Sequence, residues 1–468
     1  MNKAELPFLS ASELSRLMEK KEVSPVEATE AYLERIDDLD FKFNAYFNVC
    51  REQALQAARD AETAIARGNH LGPMHGVPVA VKDQFWSRGT RTTGGSRILA
   101  DFIPDEDSTV IVNLKKAGAV LLGKTNLTEF AVSGFTHRFS VPRNPWNLNL
   151  FTGGSSSGSG AATAAFMCAS SLGEDTGGSI RCPATWCGLV GLRPSWGLVS
   201  RYGVMRGVWT MDTVGPISRT VEDAAITLGA IAGHDPKDQY TWTAPVPDYR
   251  RALDGNIRGL RVGVITEQLD NAMVEEETRG VVVKAISVLG ELGATVEDVS
   301  LPVAGWANVT SGTLLSVEPA SDHTEWIRNR IADYGHDVRI QQLVGAILPA
   351  QAYYKAQKLR NLIREQVLDT LKKYDVLVSP TSGKPAMPIV DDPVITGKEN
   401  ASRLPFLFTR LFNLASAPAA SIPCGFSATG LPIGLQIGGR PGGDETIFRV
   451  AHAYEQATDW HTRRPPEA

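Results

Sequence analysis

Two serine-glycine clusters and one lysine supply the residue types from which acyl transfer could be built. The second cluster, "SLGEDTGGSIRCPA", places Thr176, Gly177, Gly178 and Ser179 in a row. Glycines let a backbone approach a reacting atom closely, and successive N–H groups aimed at one point can hold the negative oxygen that acyl transfer generates. Thr176 to Ser179 are therefore read as an oxyanion hole, with Ser179 where a nucleophile should sit. A serine hydroxyl needs a base to take its proton, and no histidine lies near either cluster in sequence. Lys82 closes the β-branched run "VPVAVK". Desolvation disfavours an ammonium, so a lysine buried there could act as a general base.

The first cluster, "FTGGSSSGSGAATAA" at 151–165, admits several readings. A phosphate-binding loop would need a Lys-Ser/Thr pair after its glycines, and the cluster contains no lysine. Gly154 to Gly158 match GxSxG, which would make Ser156 the nucleophile of a strand-turn-helix elbow. The preceding "NPWNLNLFTG" reads poorly as the strand such an elbow requires. Ser156, Ser157 and Ser159 are otherwise read as loop hydrogen bonders.

The elements that must hold these residues alternate between strand and helix. "VPVAVKDQF", "DSTVIVNLKKAG" and "AVLLGKTN" read as strand, helix, strand, and "GLRVGVI", "TRGVVVKAISVLGELGA" and "TVEDVSLP" repeat that order. "SAPAASIPCGF" and "GLPIGLQIGGR" read as two more core strands, and "DETIFRVAHAYEQAT" as a closing helix. At the start, Ser10 with Glu13 and Ser24 with Glu27 fit capping boxes, and Ala28, Tyr32, Ile36 and Leu39 form one apolar face. The expected class is α/β, one domain over 1–468 with N-terminal helices at about 8–40 packed on it. The chain of 468 residues is 43% hydrophobic, and a formal charge of -5 offers no basic stripe for nucleic acid. No secretory signal or stretch of about 18 apolar residues is present, so a cytoplasmic home is the default. Five cysteines without a close pair and eight histidines without HExxH suggest neither disulfides nor a metal site, and no cofactor is expected.

"PVAVKDQF", "GGSSSGSGAATAA" and "SLGEDTGGSIRCPA" resemble the three blocks of the amidase signature family. The resemblance continues through "GKTNLTEFA", "GLVGLRPSWGLVSRYGV" and "MDTVGPISRTVEDAA". It implies a central mixed, twisted sheet covered on both faces by helices, and a Ser-cisSer-Lys triad formed by Lys82, Ser155 and Ser179. It also implies an acyl-serine intermediate and hydrolysis of a C–N bond. Asp175 and Arg181 flank the nucleophile loop and are expected to pin it. Trp186 and Trp209 are read as core, with an acyl pocket as the alternative.

Two departures bear on the substrate. The glutamine-hydrolysing A subunits of tRNA amidotransferases usually carry an acidic residue where "PFLFTRLF" has Phe406, and an arginine where "DVRIQQLVG" has Ile340 and Gln341, with Arg339 slightly out of register. An apolar Phe406 would leave a buried ammonium unpaired. Glu174 replaces the small hydroxyl residue common in its block, so Glu174 and Phe406 are assigned to the substrate pocket. The expectation is a stand-alone amidohydrolase for amides, anilides, esters or carbamates, with the A-subunit glutaminase as the alternative. Its expected partners are that small molecule and water, with no nucleic acid or membrane and at most a second copy of the chain.

Overall fold

The computed structural model describes residues 2–132, 139–389 and 406–468. Both capping boxes form: Ser10 and Ser24 accept from the backbone N–H of Glu13 and Glu27, whose carboxylates accept in return. These contacts start helices Ala11–Glu19 and Pro25–Phe43, and Pro25 occupies the first turn, where no helical N–H is needed. Ala28, Tyr32 and Ile36 are buried against the main core, with Leu39 packed on its edge. Ser12 N–H donates to Asp223 Oδ1 at 2.9 Å, joining the first helix to helix Val221–Ile231.

The strands are β1 (Tyr46–Val49), β2 (Pro78–Lys82), β3 (Val120–Thr125), β4 (Arg143–Asn144), β5 (Asn147–Phe151), β6 (Ser170–Glu174) and β7 (Val190–Arg193). There follow β8 (Val214–Ser218), β9 (Arg261–Ile265), β10 (Thr295–Val299), β11 (Val376–Pro380), β12 (Ala419–Phe426) and β13 (Pro432–Gly439). Eleven of them make one sheet in the order β1-β3-β2-β6-β8-β7-β12-β13-β11-β9-β10. It is mixed: β2 runs parallel to β3 and β6, while β6, β8, β7, β12 and β13 are successively antiparallel. Side chains alternate across it, so Val376 and Val378 enter one apolar cluster and Leu377 another on the opposite face. Both faces are covered by helices, as the α/β reading expects.

Two local results differ from the sequence reading. Strand β6, "SSLGE", is hidden in what reads as a glycine-serine loop, because every residue of this central strand is buried and small side chains suit its crowded neighbours. The helix after the first cluster begins at Ser157, inside the cluster itself. All its residues are buried, and a Cβ on Gly158 would lie 2.3 Å from Ala45 O, so only glycine lets the helix sit this close to its neighbour.

Candidate active site

Parallel pairing of β2 with β6, with Val81 opposite Leu172, brings the carboxyl ends of both strands to the same sheet edge. Lys82 and Glu174 end these strands and are fully buried. Lys82 Nζ lies 2.7 Å from Ser155 Oγ, 3.4 Å from the Glu174 carbonyl and 3.4 Å from Glu174 Oε2. Burial pulls the lysine below its ordinary value, more than an ionised Glu174 would raise it. Burial thus acts in the direction that a base would require.

Ser155 follows a cis peptide bond at Gly154-Ser155. The two serine loops meet through the Ser156 N–H, which donates to Ser179 O at 3.3 Å. No hydrogen bond joins the Ser155 and Ser179 hydroxyls among the described residues; the Lys82 to Ser155 leg is closed and the next is open. Ser179 and Gly177 are half-buried while their neighbours are buried, so the loop reaches water at the position read as the nucleophile. Ser156 is wholly buried, and its Oγ accepts from the Glu174 N–H at 3.3 Å. Strand β5 does precede this serine, but it forms a two-stranded ribbon with β4 and bridges Pro388, outside the eleven-stranded sheet. That is not the central-sheet setting of an elbow.

The nucleophile loop is clamped from below. Arg181 donates to both oxygens of Asp175, Nε to Oδ2 and Nη2 to Oδ1 at 3.0 Å each, and also bonds Thr409 O, Gln436 Oε1 and Asn413 Oδ1. Burial alone would raise the Asp175 carboxyl, but Arg181 and Arg193 hold it well below the usual range. Asp175 in turn accepts from the N–H of Gly178 at 2.8 Å and of Ile180 at 3.3 Å. Of the four residues read as an oxyanion hole, Gly178 has its N–H engaged by Asp175, which leaves Thr176, Gly177 and Ser179 as the candidate donors. Gly178 serves conformation instead, with φ of +121° and a would-be Cβ 2.2 Å from Thr409 Oγ1.

Both residues assigned to the substrate pocket are buried. Glu174 has no exposed surface, and its oxygens face Lys82 and Thr176. Phe406 is buried in a cluster with Trp186 and Phe151, and the Lys384 ammonium sits 4.4 Å from its ring centre. Trp186 belongs to that cluster, whereas Trp209 stacks with Arg201 and Arg206 at one wall of a cavity of about 860 Å³. Neither Lys82 nor Ser179 lines that cavity. Gly207, in the segment beside it, packs within 3.2 Å of Thr176 Oγ1, measured from a built Cβ. Phe412, another ring of the "FLFTRLF" segment, is fully buried in core.

Arg410 lies in that same segment. Its Nε lies 3.8 Å from a Cβ built on Gly177, and its Nη1 donates to Asn308 O at 3.3 Å. Water reaches it, yet protein surrounds it, and this desolvation pulls its guanidinium down to about 10. Among the described residues no carboxylate lies within ion-pair distance of it. On the helix that carries Ile340 and Gln341, Ile340 is exposed and Gln341 donates to Leu315 O.

A family model for amidases matches residues 27–448. The A subunit of the glutamyl-tRNA(Gln) amidotransferase of Moorella thermoacetica is 43% identical, the match covering 98% of this chain and 99% of that protein. The crystal structure of the corresponding A subunit from Thermotoga maritima matches with a TM-score of 0.81 at 34% identity, over 97% of this chain and 95% of that one. A bacterial aryl acylamidase of the amidase signature family matches with a TM-score of 0.88 at 28% identity, over 97% of each chain. The 43% relative overturns the expectation of a stand-alone amidohydrolase without nucleic acid as a partner. Two premises of that expectation fail physically. Phe406 is packed away beneath Lys384, so it does not present an apolar wall to an amine, and a charge summed over the whole chain says nothing of any one face.

Proposed function

The chain belongs to the amidase family, and on that premise we propose that it is the glutamine-hydrolysing A subunit of a glutamyl-tRNA amidotransferase, acting in the cytoplasm. The observation that carries this reading is 43% identity to such an A subunit over nearly both full lengths. The guanidinium of Arg410 beside Gly177 supports it, since a partly exposed cation with no carboxylate at ion-pair distance among the described residues suits the α-carboxylate of glutamine.

In this reading Lys82 takes a proton from Ser155, Ser155 takes one from Ser179, and the Ser179 oxygen attacks the side-chain amide carbon of glutamine. The N–H groups of Thr176, Gly177 and Ser179 hold the oxyanion. The proton returns to the departing nitrogen, leaving a glutamyl ester on Ser179 and free ammonia. Water, deprotonated by the same relay, releases glutamate. The ammonia is passed to the other subunits, which use it on glutamyl-tRNA. Asp175 and Arg181 hold the loop and take no proton.

Glutamate formation from glutamine tests this. Ser179→Ala is expected to abolish it, while Arg410→Ala should raise KM for glutamine about tenfold or more, the loss of about 1.4 kcal/mol of binding. Turnover of glutamine by folded Ser179→Ala would overturn the assignment.

A further inference from the structure

One hydroxyl stands between two buried carboxyl groups behind the lysine. Thr176 Oγ1 lies 2.6 Å from Glu174 Oε1 and 2.6 Å from Asp212 Oδ1. Two such contacts among three oxygens need two protons, and the threonine supplies one. The second must sit on a carboxyl. Asp212 accepts the N–H of Gly207 and of Val208 at 2.8 Å each, and these donors favour its anion. Among the described residues the Glu174 carboxyl accepts no backbone N–H, and its other oxygen faces Lys82 Nζ. The direction of the chain is therefore Glu174 to Thr176 to Asp212.

We infer that Glu174 carries a proton while Lys82 is neutral, and becomes the counter-ion of Lys82 only when the lysine takes the Ser155 proton. The step balances without solvent. As Ser179 passes its proton to Ser155 and Ser155 passes one to Lys82, Glu174 gives its proton to Thr176 Oγ1, and Thr176 gives its own to Asp212. The result is an ammonium beside a carboxylate, with Asp212 protonated. A glutamate held permanently ionised would instead pair with Lys82 at rest and keep it charged, which would disable the base.

The surroundings agree. Glu174 faces Lys82 from β2, Asp175 beside it, Arg193 from β7 and Asp212 from the segment before β8. Burial first, then Asp212, pushes the Glu174 carboxyl up to about 8 against the pull of Lys82. Burial also raises Asp212.

The inference rests on Lys82 being the base, and its first test needs no substrate. With glutamate side-chain carboxyl carbons labelled with ¹³C, the resonance lost in Glu174→Gln is expected at the protonated position at neutral pH, moving only as pH rises further. A resonance already at the ionised position would overturn the inference while leaving the glutaminase reading intact. The kinetic test uses two variants. Glu174→Gln, which cannot become an anion, should lower kcat about tenfold or more with little change in KM. Asp212→Asn, which removes the acceptor and frees Glu174 to ionise, should move the acid limb of kcat/KM upward by about 1 pH unit or more. A Glu174→Gln enzyme within about twofold of wild-type kcat, or an acid limb unmoved in folded Asp212→Asn, would contradict it.

Discussion

At the scale of single residues, Lys82 must be neutral to accept a proton, and its burial at the end of β2 supplies the means. Activity should rise with pH as this lysine deprotonates, with a midpoint below the 10.5 of an ordinary lysine. A kcat/KM profile reports it, and Lys82→Ala should lose nearly all turnover while melting as a folded protein. The sequence made Lys82, Ser155 and Ser179 legible because each stands in a recognisable block, and the fold brings Lys82 and Ser155 into contact. Glu174 was legible only as an oddity: its burial depends on β6, whose "SSLGE" carries no strand signal of its own. Arg410 was missed because its approach to Gly177 is tertiary; its neighbour Thr409 reaches the Gly177 carbonyl across 232 positions.

At the scale of elements, the nucleophile loop is held by polar bonds to an arginine from the helix that follows it. Asp175→Asn would leave Arg181 buried without its counter-charge and is expected to cost about 3–5 kcal/mol, read as a lowered denaturation midpoint. Gly178→Ala forces a side chain onto φ of +121° and against Thr409, and should cost at least about 2 kcal/mol. Ser24→Ala, at a capping box far from the chemistry, should cost only about 1 kcal/mol and leave kcat unchanged. Capping boxes and apolar runs were readable because their signals are local. The exact start of the helix at Ser157 was not, because serine and glycine there serve close packing against Ala45 and not helix propensity.

At the scale of the whole molecule, strand-helix alternation gave the α/β class, and the eleven-stranded mixed sheet is what the resemblance implied. Among the described residues no helix is long and apolar enough to cross a membrane. The proposed partnership was the least legible feature, since the catalytic blocks carry no signal of it and Phe406 by itself pointed away from glutamine. The central claim is tested most directly by copurifying this chain with the other amidotransferase subunits and measuring conversion of glutamyl-tRNA(Gln) to glutaminyl-tRNA(Gln) with glutamine as the nitrogen source. The expected result is glutamine-driven conversion that disappears in Ser179→Ala and returns when free ammonia is supplied. Failure of the wild-type assembly with glutamine, while it converts the tRNA with ammonia and the chain cleaves simple anilides, would contradict the account.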